Sequence, residues 1–418
     1  MLLDSFVEIG TTRPKYELAD IFREYGEAYR RTYYTTYKQR KVMRDIINCR
    51  TAALGGYLEQ CDTCGRLRAC YCSCKNRDCP KCGAWEKAQW LARLETKLLP
   101  IPYFHVIFTA DHKINPLARV HPRKIYNLLI RTATKVLHAY GQKYLGGEIG
   151  FTMVLHTWGQ TMNLHPHVHC IVTGGALQET EEGPVWKSSN EKFLFPVKKL
   201  SRDFRDEFCK GMKRMWRDAT ACATGTDLVK LEEVDIDKLV TQMRSKRWEV
   251  FIKPAPGGDP VIVCEYLGQY TQRSAISNYR IVGISDGKVS FKYYDNRADG
   301  EEKVMTLDAL EFTRRFLQHV LPPNFHRIRH CGLHHSSKRG ELEVIRGQLG
   351  LEPELPKPPE LELHEWIESV TGKDPRVCPF CGEGRMVLRA EFGPVTGLKA
   401  KLLSFLGLPV LGRVWVKG

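Results

Sequence analysis

The chain has 418 residues and a mass of 48.0 kDa, which is enough to bury a substantial core and to form two or three domains. Its 63 Lys and Arg residues against 48 Asp and Glu residues leave a net charge of +15, which favours a polyanionic partner such as nucleic acid. No stretch approaches the roughly 20 apolar residues that span a bilayer, and the first residues lack the layout of a signal peptide. We therefore expect a cytoplasmic protein with no membrane partner.

The first region, residues 1–58, is predicted to be helical and basic. Apolar residues at helical spacing indicate two helices between residues 15 and 53. Lys and Arg residues alternate there with tyrosines, a composition that suits a phosphate backbone and stacked bases. A solvated helix face explains any single one of these residues equally well.

Residues 59–95 contain two Cys-x-x-Cys-Gly motifs, which predict a structural zinc site. The fourteen residues between the two motifs suit one tetrahedral Zn²⁺ ion with these expected ligands: Cys61, Cys64, Cys79 and Cys82. Four thiolates close the coordination shell and leave no open position for catalysis. In a reducing compartment such pairs favour metal ligands over disulfides.

Three further cysteines, Cys70, Cys72 and Cys74, alternate between the two motifs like residues of a strand. One of them, with Cys74 as the candidate, either replaces a ligand of the first site or helps to bind a second zinc ion. The sequence leaves both alternatives open. Lys75 and Arg77, which follow directly, are expected to contact nucleic acid.

Residues 96–300 have the pattern of a compact α+β domain. The predicted elements are a strand over 103–109, a helix over 122–144, a hairpin, a helix over 201–219 and a strand over 248–253. This β-α-β-β-α-β order predicts an antiparallel sheet with helices on one face.

The hairpin of this domain carries two histidines, His167 and His169, separated by one apolar residue. Alternate side chains of a strand share a face about 7 Å apart, so both imidazoles can bind one cation. If the preceding turn centres on Met162 and Asn163, His156 lies directly opposite His169, where cross-strand side chains are about 5 Å apart. The three histidines therefore predict a site for a divalent metal ion.

The sequence does not fix the third ligand of this site. Gln160 and His165 compete with His156, because a shift of one residue in the hairpin register turns His156 to the other face. The alternative to a metal site is that these histidines are ordinary polar residues on an exposed strand face. The convergence of three histidines makes this alternative weaker.

A helix predicted over residues 261–273 carries two tyrosines. Tyr266 and Tyr270 are four residues apart and hence neighbours on one helix face. Tyrosines at this spacing more often belong to a core, but beside a metal site they become candidate nucleophiles. Arg273 and Arg280 are candidate DNA-phosphate ligands, although basic residues at a helix end also complement its dipole.

The rest of the chain is expected to form three segments: a basic helical extension over 301–350, a Pro-rich linker over 351–365 and a tail over 366–418. The tail contains one more zinc-type motif, Cys378-Pro-Phe-Cys381-Gly, without an obvious partner pair nearby. Its remaining ligands would come from His330, Cys331 or His334, or from spare cysteines of the amino-terminal region that the first zinc site does not use.

Several of these motifs resemble one known family. His167-Val168-His169 resembles the HUH motif of endonucleases that nick single-stranded DNA through a tyrosine. The run Trp158-Gly-Gln-x-x-Asn-x-His-Pro-His-Val-His-Cys-x-Val and the motif Tyr-Leu-Gly-Gln-Tyr are similar to the two-tyrosine rolling-circle transposases of the insertion-sequence-ninety-one-like family. Residues 73–82 resemble the zinc-binding domain of that family, but Asp78 stands where a histidine is expected, which leaves the ligand set open.

The resemblance, which runs to about residue 335, implies a palm-like antiparallel sheet and a Mg²⁺ or Mn²⁺ ion held by the histidines. It also implies a nucleoid-associated bacterial-type transposase that nicks and rejoins single-stranded DNA at transposon ends and target sites through a 5′-phosphotyrosine. A homo-oligomer and a host helicase or host replication proteins are compatible partners. Because the phosphotyrosine retains the energy of the cleaved bond, the absence of a Gly-x-x-x-x-Gly-Lys-Ser/Thr motif agrees with this chemistry.

Three other functions share part of the pattern. A plasmid relaxase or replication initiator has the same HUH chemistry, but the amino-terminal zinc domain favours the transposase. A zinc-containing DNA-binding protein without catalysis would need neither tyrosine. A metallo-hydrolase that uses bound water would form no covalent protein–DNA species.

Overall fold

The computed structural model describes residues 14–222, 234–255, 258–268, 274–295, 298 and 300–394, without the side chains of 219–222. Its helices are α1 (Leu18–Thr32), α2 (Tyr37–Asn48), α3 (Ala84–Glu95), α4 (Asn115–Val120), α5 (Pro122–Tyr140), α6 (Val197–Cys222), α7 (Ile236–Arg244), α8 (Pro260–Gly268), α9 (Ala309–Leu317), α10 (Arg339–Gln348) and α11 (Leu363–Thr371). In the described part of the chain, no helix is both long enough and apolar enough to cross a membrane.

The strands complete an α+β fold with antiparallel sheets, as the sequence predicts. They are β1 (Gly56–Cys61), β2 (Leu67–Tyr71), β3 (Tyr103–Thr109), β4 (Gly150–Trp158), β5 (Leu164–Thr173), β6 (Gly175–Thr180), β7 (Gly183–Ser188), β8 (Val250–Pro254), β9 (Ile281–Ser285), β10 (Lys288–Asp295), β11 (Glu301–Asp308), β12 (Ile328–Gly332) and β13 (Met386–Phe392).

The chain divides into two units, and each combines segments that are far apart in sequence. The cysteine unit comprises the described residues of 1–90, 272–320 and 359–418, and the histidine unit comprises those of 91–271 and 321–358. The six segments expected from the sequence are continuous stretches, and their boundaries remain predictions.

The histidine unit is built on a five-stranded antiparallel sheet in the order β12-β4-β5-β3-β8. The expected β-α-β-β-α-β order is present as β3, α5, β4, β5, α6 and β8. Three strands are additional: β6 and β7 form a hairpin after β5, and β12 adds an edge strand from a later part of the chain. The histidine-bearing strands β4 and β5 therefore lie inside the sheet rather than at its edge.

Alternation of side chains gives this sheet two different faces. On one face Phe104 and Phe108 of β3 and Val168 of β5 are fully buried in a cluster with apolar residues of α5 and α6, including Phe204. Full burial of such a side chain contributes about 2 kcal/mol. The intervening positions of β3, β4 and β5, which include His156, His167 and His169, belong to the opposite face. Packing on the first face thus fixes which residues the second face presents.

The cysteine unit contains two three-stranded sheets, in the orders β13-β1-β2 and β11-β10-β9. Helix α1 packs against α9, where the rings of Phe22 and Phe316 lie 5.6 Å apart. The turn Asp286-Gly287 joins β9 to β10, and both residues have positive φ, as a two-residue type I′ hairpin turn requires.

The carboxy-terminal half differs from expectation in one respect. Residues 301–350 are not a purely helical extension, because they contain β11 and β12 as well as α9 and α10. The basic stretch 326–335 supplies β12 to the sheet, and His334 within it is buried. A run of basic residues and histidines is thus a poor predictor of exposure when its backbone can pair with an edge strand.

Candidate functional site

The three predicted histidines come together on the face of the sheet opposite to the one that packs against α5 and α6. Their ligating atoms all lie within 4.8 Å of one another. The expected pairing was wrong in detail, since His156 lies opposite His167 and Val154 lies opposite His169. The register differs by two residues, and an even shift keeps His156 on the same face. The pairing of Trp158 with Leu164 centres the turn on Thr161 rather than on Met162 and Asn163, and the irregularity before Trp158 reduces the resulting difference from three residues to two.

Burial and hydrogen bonding prepare these imidazoles to bind a metal ion. Burial lowers the pKa of His167 to about 4, and burial together with His156 lowers the pKa of His169 far below its usual value. Both rings are therefore neutral at pH 7, which is the form that binds a metal ion. Nδ1 of His167 lies 2.7 Å from the carbonyl oxygen of His165, so this nitrogen donates and Nε2 is left as the ligand atom.

The alternative third ligands lie elsewhere. Gln160 and His165 have exposed side chains and are outside the histidine cluster, whereas His156 is buried within it. The geometry thus favours His156 as the third ligand. Imidazole ligands suit a first-row divalent ion such as Mn²⁺ better than Mg²⁺, which prefers oxygen.

A fourth histidine, His105, links this cluster to a candidate nucleophile. Its Nε2 lies 2.9 Å from Nδ1 of His169, and its Nδ1 lies 2.6 Å from the hydroxyl of Tyr266. All three side chains are buried. Burial, followed by the charge of Lys253, lowers the pKa of His105 to about 4, so this ring is also neutral at pH 7.

Sequence reasoning missed His105, although a signal existed. The residue is a polar position in the otherwise apolar start of β3, and its partner in β5 is Ile171, two residues from His169. It therefore faces the same side as the three histidines, at the diagonal position where long side chains still touch. Only the β3–β5 register, which the sequence does not state, reveals this.

Lys253 adds a positive charge at the same place. It lies opposite His105 in the pairing of β3 with β8, and its Nζ is 5.3 Å from the centre of the Tyr266 ring. An ammonium group at this distance favours a negative charge on the phenol oxygen.

The other predicted nucleic-acid residues are only partly located. Tyr270 and Arg273 lie outside the described residues. Arg280 donates through Nε to the carbonyl oxygen of Lys292 at 2.7 Å and sits over the ring of Phe291, so it has a structural contact within the cysteine unit. Lys75 and Arg77 are exposed, and their role in DNA binding remains a prediction.

The cysteines form two clusters, and the expected grouping of Cys61 and Cys64 with Cys79 and Cys82 was wrong. One cluster consists of Cys49, Cys74, Cys79 and Cys82, and the other of Cys61, Cys64, Cys378 and Cys381. All Cys-x-x-Cys motifs have the same internal spacing, so the sequence does not show which two motifs share one metal site. The folded structure brings cysteines together that are far apart in sequence.

The first cluster joins the second motif to Cys74 and to a cysteine that the sequence did not single out. Cys49 follows the last residue of α2, and its Sγ is 3.4 Å from that of Cys82. The sulfurs of Cys74 and Cys82 are 3.7 Å apart. A Zn–S bond of about 2.3 Å sets tetrahedral sulfurs about 3.8 Å apart, whereas a disulfide requires about 2.05 Å. The donor set therefore fits a structural zinc ion, with Cys74 as a ligand.

Comparisons with known proteins show the family of the chain. Residues 150–341 match the family described as "Putative transposase", and residues 21–110 match the family described as "Transposase zinc-binding domain". The chain is 42% identical over 390 residues to "Putative transposase y4qJ" of Sinorhizobium fredii, with 91% of this chain and 96% of that protein covered. It is 27% identical over 365 residues to "Transposase for insertion sequence element IS801" of Pseudomonas savastanoi pv. phaseolicola, with 84% and 83% covered. No solved structure matches the chain.

Proposed function

The chain belongs to the insertion-sequence-ninety-one-like family of transposases, and on that premise we propose that it nicks and rejoins single-stranded DNA through a covalent tyrosine intermediate. The proposed substrates are the ends of a mobile element and its target site, joined in a rolling-circle type of transposition. One observation carries the proposal: the hydroxyl of Tyr266 contacts His105, which contacts a histidine of the three-histidine cluster.

The proposed reaction is a transesterification. The phenol oxygen of Tyr266 forms a bond to the phosphorus of a DNA phosphodiester, and the bond from phosphorus to the 3′ oxygen breaks. The phenol proton passes to water, and the 3′ oxygen takes up a proton from water to leave as a hydroxyl. A 5′-phosphotyrosine results, and a 3′-hydroxyl reverses the reaction without ATP. Tyr270 is the proposed nucleophile of a second such step.

His156, His167 and His169 would hold a divalent ion at this site. When bound, Mg²⁺ or Mn²⁺ polarises the scissile phosphate and offsets its developing negative charge. A phenol of pKa about 10 is a weak nucleophile at neutral pH, so the protein must also favour the phenolate.

The contacts of His105 support that second requirement. If Nε2 of His169 were a ligand of the ion, its Nδ1 would carry the proton and donate to Nε2 of His105. His105 would then hold its own proton on Nδ1 and donate it to the phenol oxygen of Tyr266. This hydrogen bond stabilises a phenolate, and the nearby ammonium of Lys253 acts in the same direction.

The experiment that tests the proposal is a denaturing gel with labelled single strands from both ends of the element that encodes the protein. The wild type is compared with Tyr266→Phe, Tyr270→Phe, the double variant and His167→Ala, each with Mn²⁺, with Mg²⁺ and with chelator. Tyr279→Phe is the matched control, because Tyr279 is an exposed tyrosine outside the site.

We expect a covalent adduct in the wild type and in the control that requires the metal ion and disappears in the double tyrosine variant. Cleavage without an adduct would indicate a metallo-hydrolase instead. Binding without cleavage on strands from either end would contradict the proposal and favour a DNA-binding protein without catalysis.

A further inference from the structure

We propose that a zinc ion bound by Cys61, Cys64, Cys378 and Cys381 fastens the carboxy-terminal tail to the amino-terminal zinc-binding segment. This site is separate from the one formed by the cluster of Cys49, Cys74, Cys79 and Cys82. Its two halves are 314 residues apart in sequence, measured from Cys64 to Cys378.

The distances between sulfurs fit zinc and exclude disulfides. Sγ of Cys61 is 3.7 Å from Sγ of Cys381, and Sγ of Cys64 is 3.7 Å from Sγ of Cys378. Tetrahedral coordination with Zn–S bonds of about 2.3 Å requires sulfurs about 3.8 Å apart. A disulfide would require about 2.05 Å.

The two halves have the same local structure. Gly65 and Gly382 each follow the second cysteine of a motif, and both have positive φ, at +71° and +76°. Each donates its backbone N–H to the carbonyl of the first cysteine, Gly65 to Cys61 at 3.1 Å and Gly382 to Cys378 at 3.0 Å. Structural zinc sites commonly use two such Cys-x-x-Cys turns, each of which supplies two thiolates to the same ion.

Backbone N–H groups point at the sulfurs. The N–H of Cys64 donates to Sγ of Cys61, that of Phe380 to Sγ of Cys378, and that of Gly384 to Sγ of Cys381, each at 3.4 Å. Such bonds stabilise the thiolate form, which is the form that binds a metal ion.

The backbone of the tail motif lies very close to the amino-terminal motif at Gly384. A Cβ on Gly384 would lie 2.4 Å from Sγ of Cys61, nearer than real Cβ atoms come. Residue 384 can therefore only be a glycine while Cys61 keeps this position.

Contacts that do not involve the cysteines also hold the tail against the amino-terminal segment. Strand β13 pairs with β1 along its whole length, from Gly56–Phe392 to Cys61–Met386. The carboxylate of Asp62 accepts from the backbone N–H of Arg385 at 2.8 Å. The rings of Trp85 and Trp366 lie 5.5 Å apart. The tail is thus a structural part of the cysteine unit, and the zinc ion would lie at the end of β1 where the two motifs meet.

The first test counts zinc in the purified full-length protein by plasma mass spectrometry. The variant Cys378→Ser/Cys381→Ser is compared with wild type, with Cys49→Ser/Cys74→Ser and with Cys72→Ser. The last is the matched control, because Cys72 is an exposed cysteine outside both clusters. Differences between variants are used, since the histidine site can also retain metal.

We expect each double variant to lose about one zinc ion per chain and the control to lose none. Unchanged zinc content in the tail variant would overturn the proposal. So would iron in place of zinc, because iron also accepts four thiolates.

A second measurement needs no variant and therefore does not depend on the folding of one. The wild type is alkylated under native conditions before and after removal of zinc by a chelator, and the modified cysteines are mapped by mass spectrometry. Cys64 and Cys381 are only partly shielded by protein, so protection must come from the ion. We expect both to become reactive together when zinc is removed. Equal reaction rates with and without zinc would overturn the proposal.

Discussion

Nδ1 of His105 lies 2.6 Å from the hydroxyl of Tyr266, while its other ring nitrogen lies 2.9 Å from His169. A candidate nucleophile and a candidate metal ligand therefore share one intervening side chain. The direction of the two hydrogen bonds depends on which nitrogen of His169 carries the proton. A metal ion held by His169 would therefore bias the hydrogen bond that the phenol oxygen of Tyr266 receives from His105.

Replacement of His105 by Gln or Ala is expected to slow adduct formation by about 10- to 100-fold, because such supporting contacts typically have effects of this size. The rate is measured at saturating Mn²⁺, and Mn²⁺ affinity is measured separately by calorimetry. His138→Gln is the control, since His138 contacts Phe151 on the other face of the sheet. If both rate and affinity stay at wild-type values, His105 does not position Tyr266.

The choice between His156 and His165 as third ligand can be decided by metal affinity alone. His156→Ala removes a buried member of the cluster and is expected to weaken Mn²⁺ binding by at least about 10-fold. His165→Ala keeps the backbone carbonyl that accepts from His167, so its affinity should stay close to that of the wild type. The opposite ranking would assign the third position to His165.

Folding stability should fall as the pH decreases below about 6.5, in part because of His334. Burial lowers the pKa of this histidine to about 3, so the folded state stays unprotonated while the unfolded state takes up a proton. The contribution is complete above pH 6.5 and is lost as the pH falls towards 3. Between pH 7 and pH 5 we expect a loss of about 2 kcal/mol from this group.

The check is urea unfolding of wild type and His334→Gln at both pH values. The variant is expected to be less stable at pH 7, because His334 also bonds to Thr152 at 3.0 Å. Its stability should nevertheless depend less on pH than that of the wild type. Identical pH dependence in both proteins would show that His334 is not the source.

Cys49→Ser is expected to lower the melting temperature and the zinc content, because a single lost thiolate opens a four-cysteine site. Cys70→Ser serves as a comparison within the same segment. Cys70 is fully buried but lies outside both clusters, so its replacement should destabilise the fold without loss of zinc. Scanning calorimetry and metal analysis of both variants separate the two effects. Full zinc content in Cys49→Ser would contradict the assignment.

Local periodicity predicted much of the fold. Strand β3 has the predicted bounds, and the two amino-terminal helices were also predicted, because each depends on residues close in sequence. The histidine hairpin was predicted for the same reason. Its exact pairing was not, because the turn is centred on Thr161 rather than on Met162 and Asn163, and an irregularity next to His156 offsets only one residue of that difference.

The parts that could not be predicted depend on contacts between distant segments. Nothing near Cys49 indicates a metal site, since its three partners lie 25 to 33 residues later. His105 is one polar residue in an apolar strand until β3 is paired with β5. The partners of the Cys378 motif were not predicted, because Cys61 and Cys64 were assigned to another site, and only the pairing of β13 with β1 brings them together with the tail.

Strand β1 lies between β2 and β13, so one of its two hydrogen-bonding edges is covered only by the last strand that the structure describes. A polypeptide released from the ribosome before residue 386 would present that edge bare. Unprotected edges pair readily with strands of other molecules, which makes such fragments prone to aggregate. Premature termination would therefore yield insoluble product rather than a shortened protein that competes for DNA.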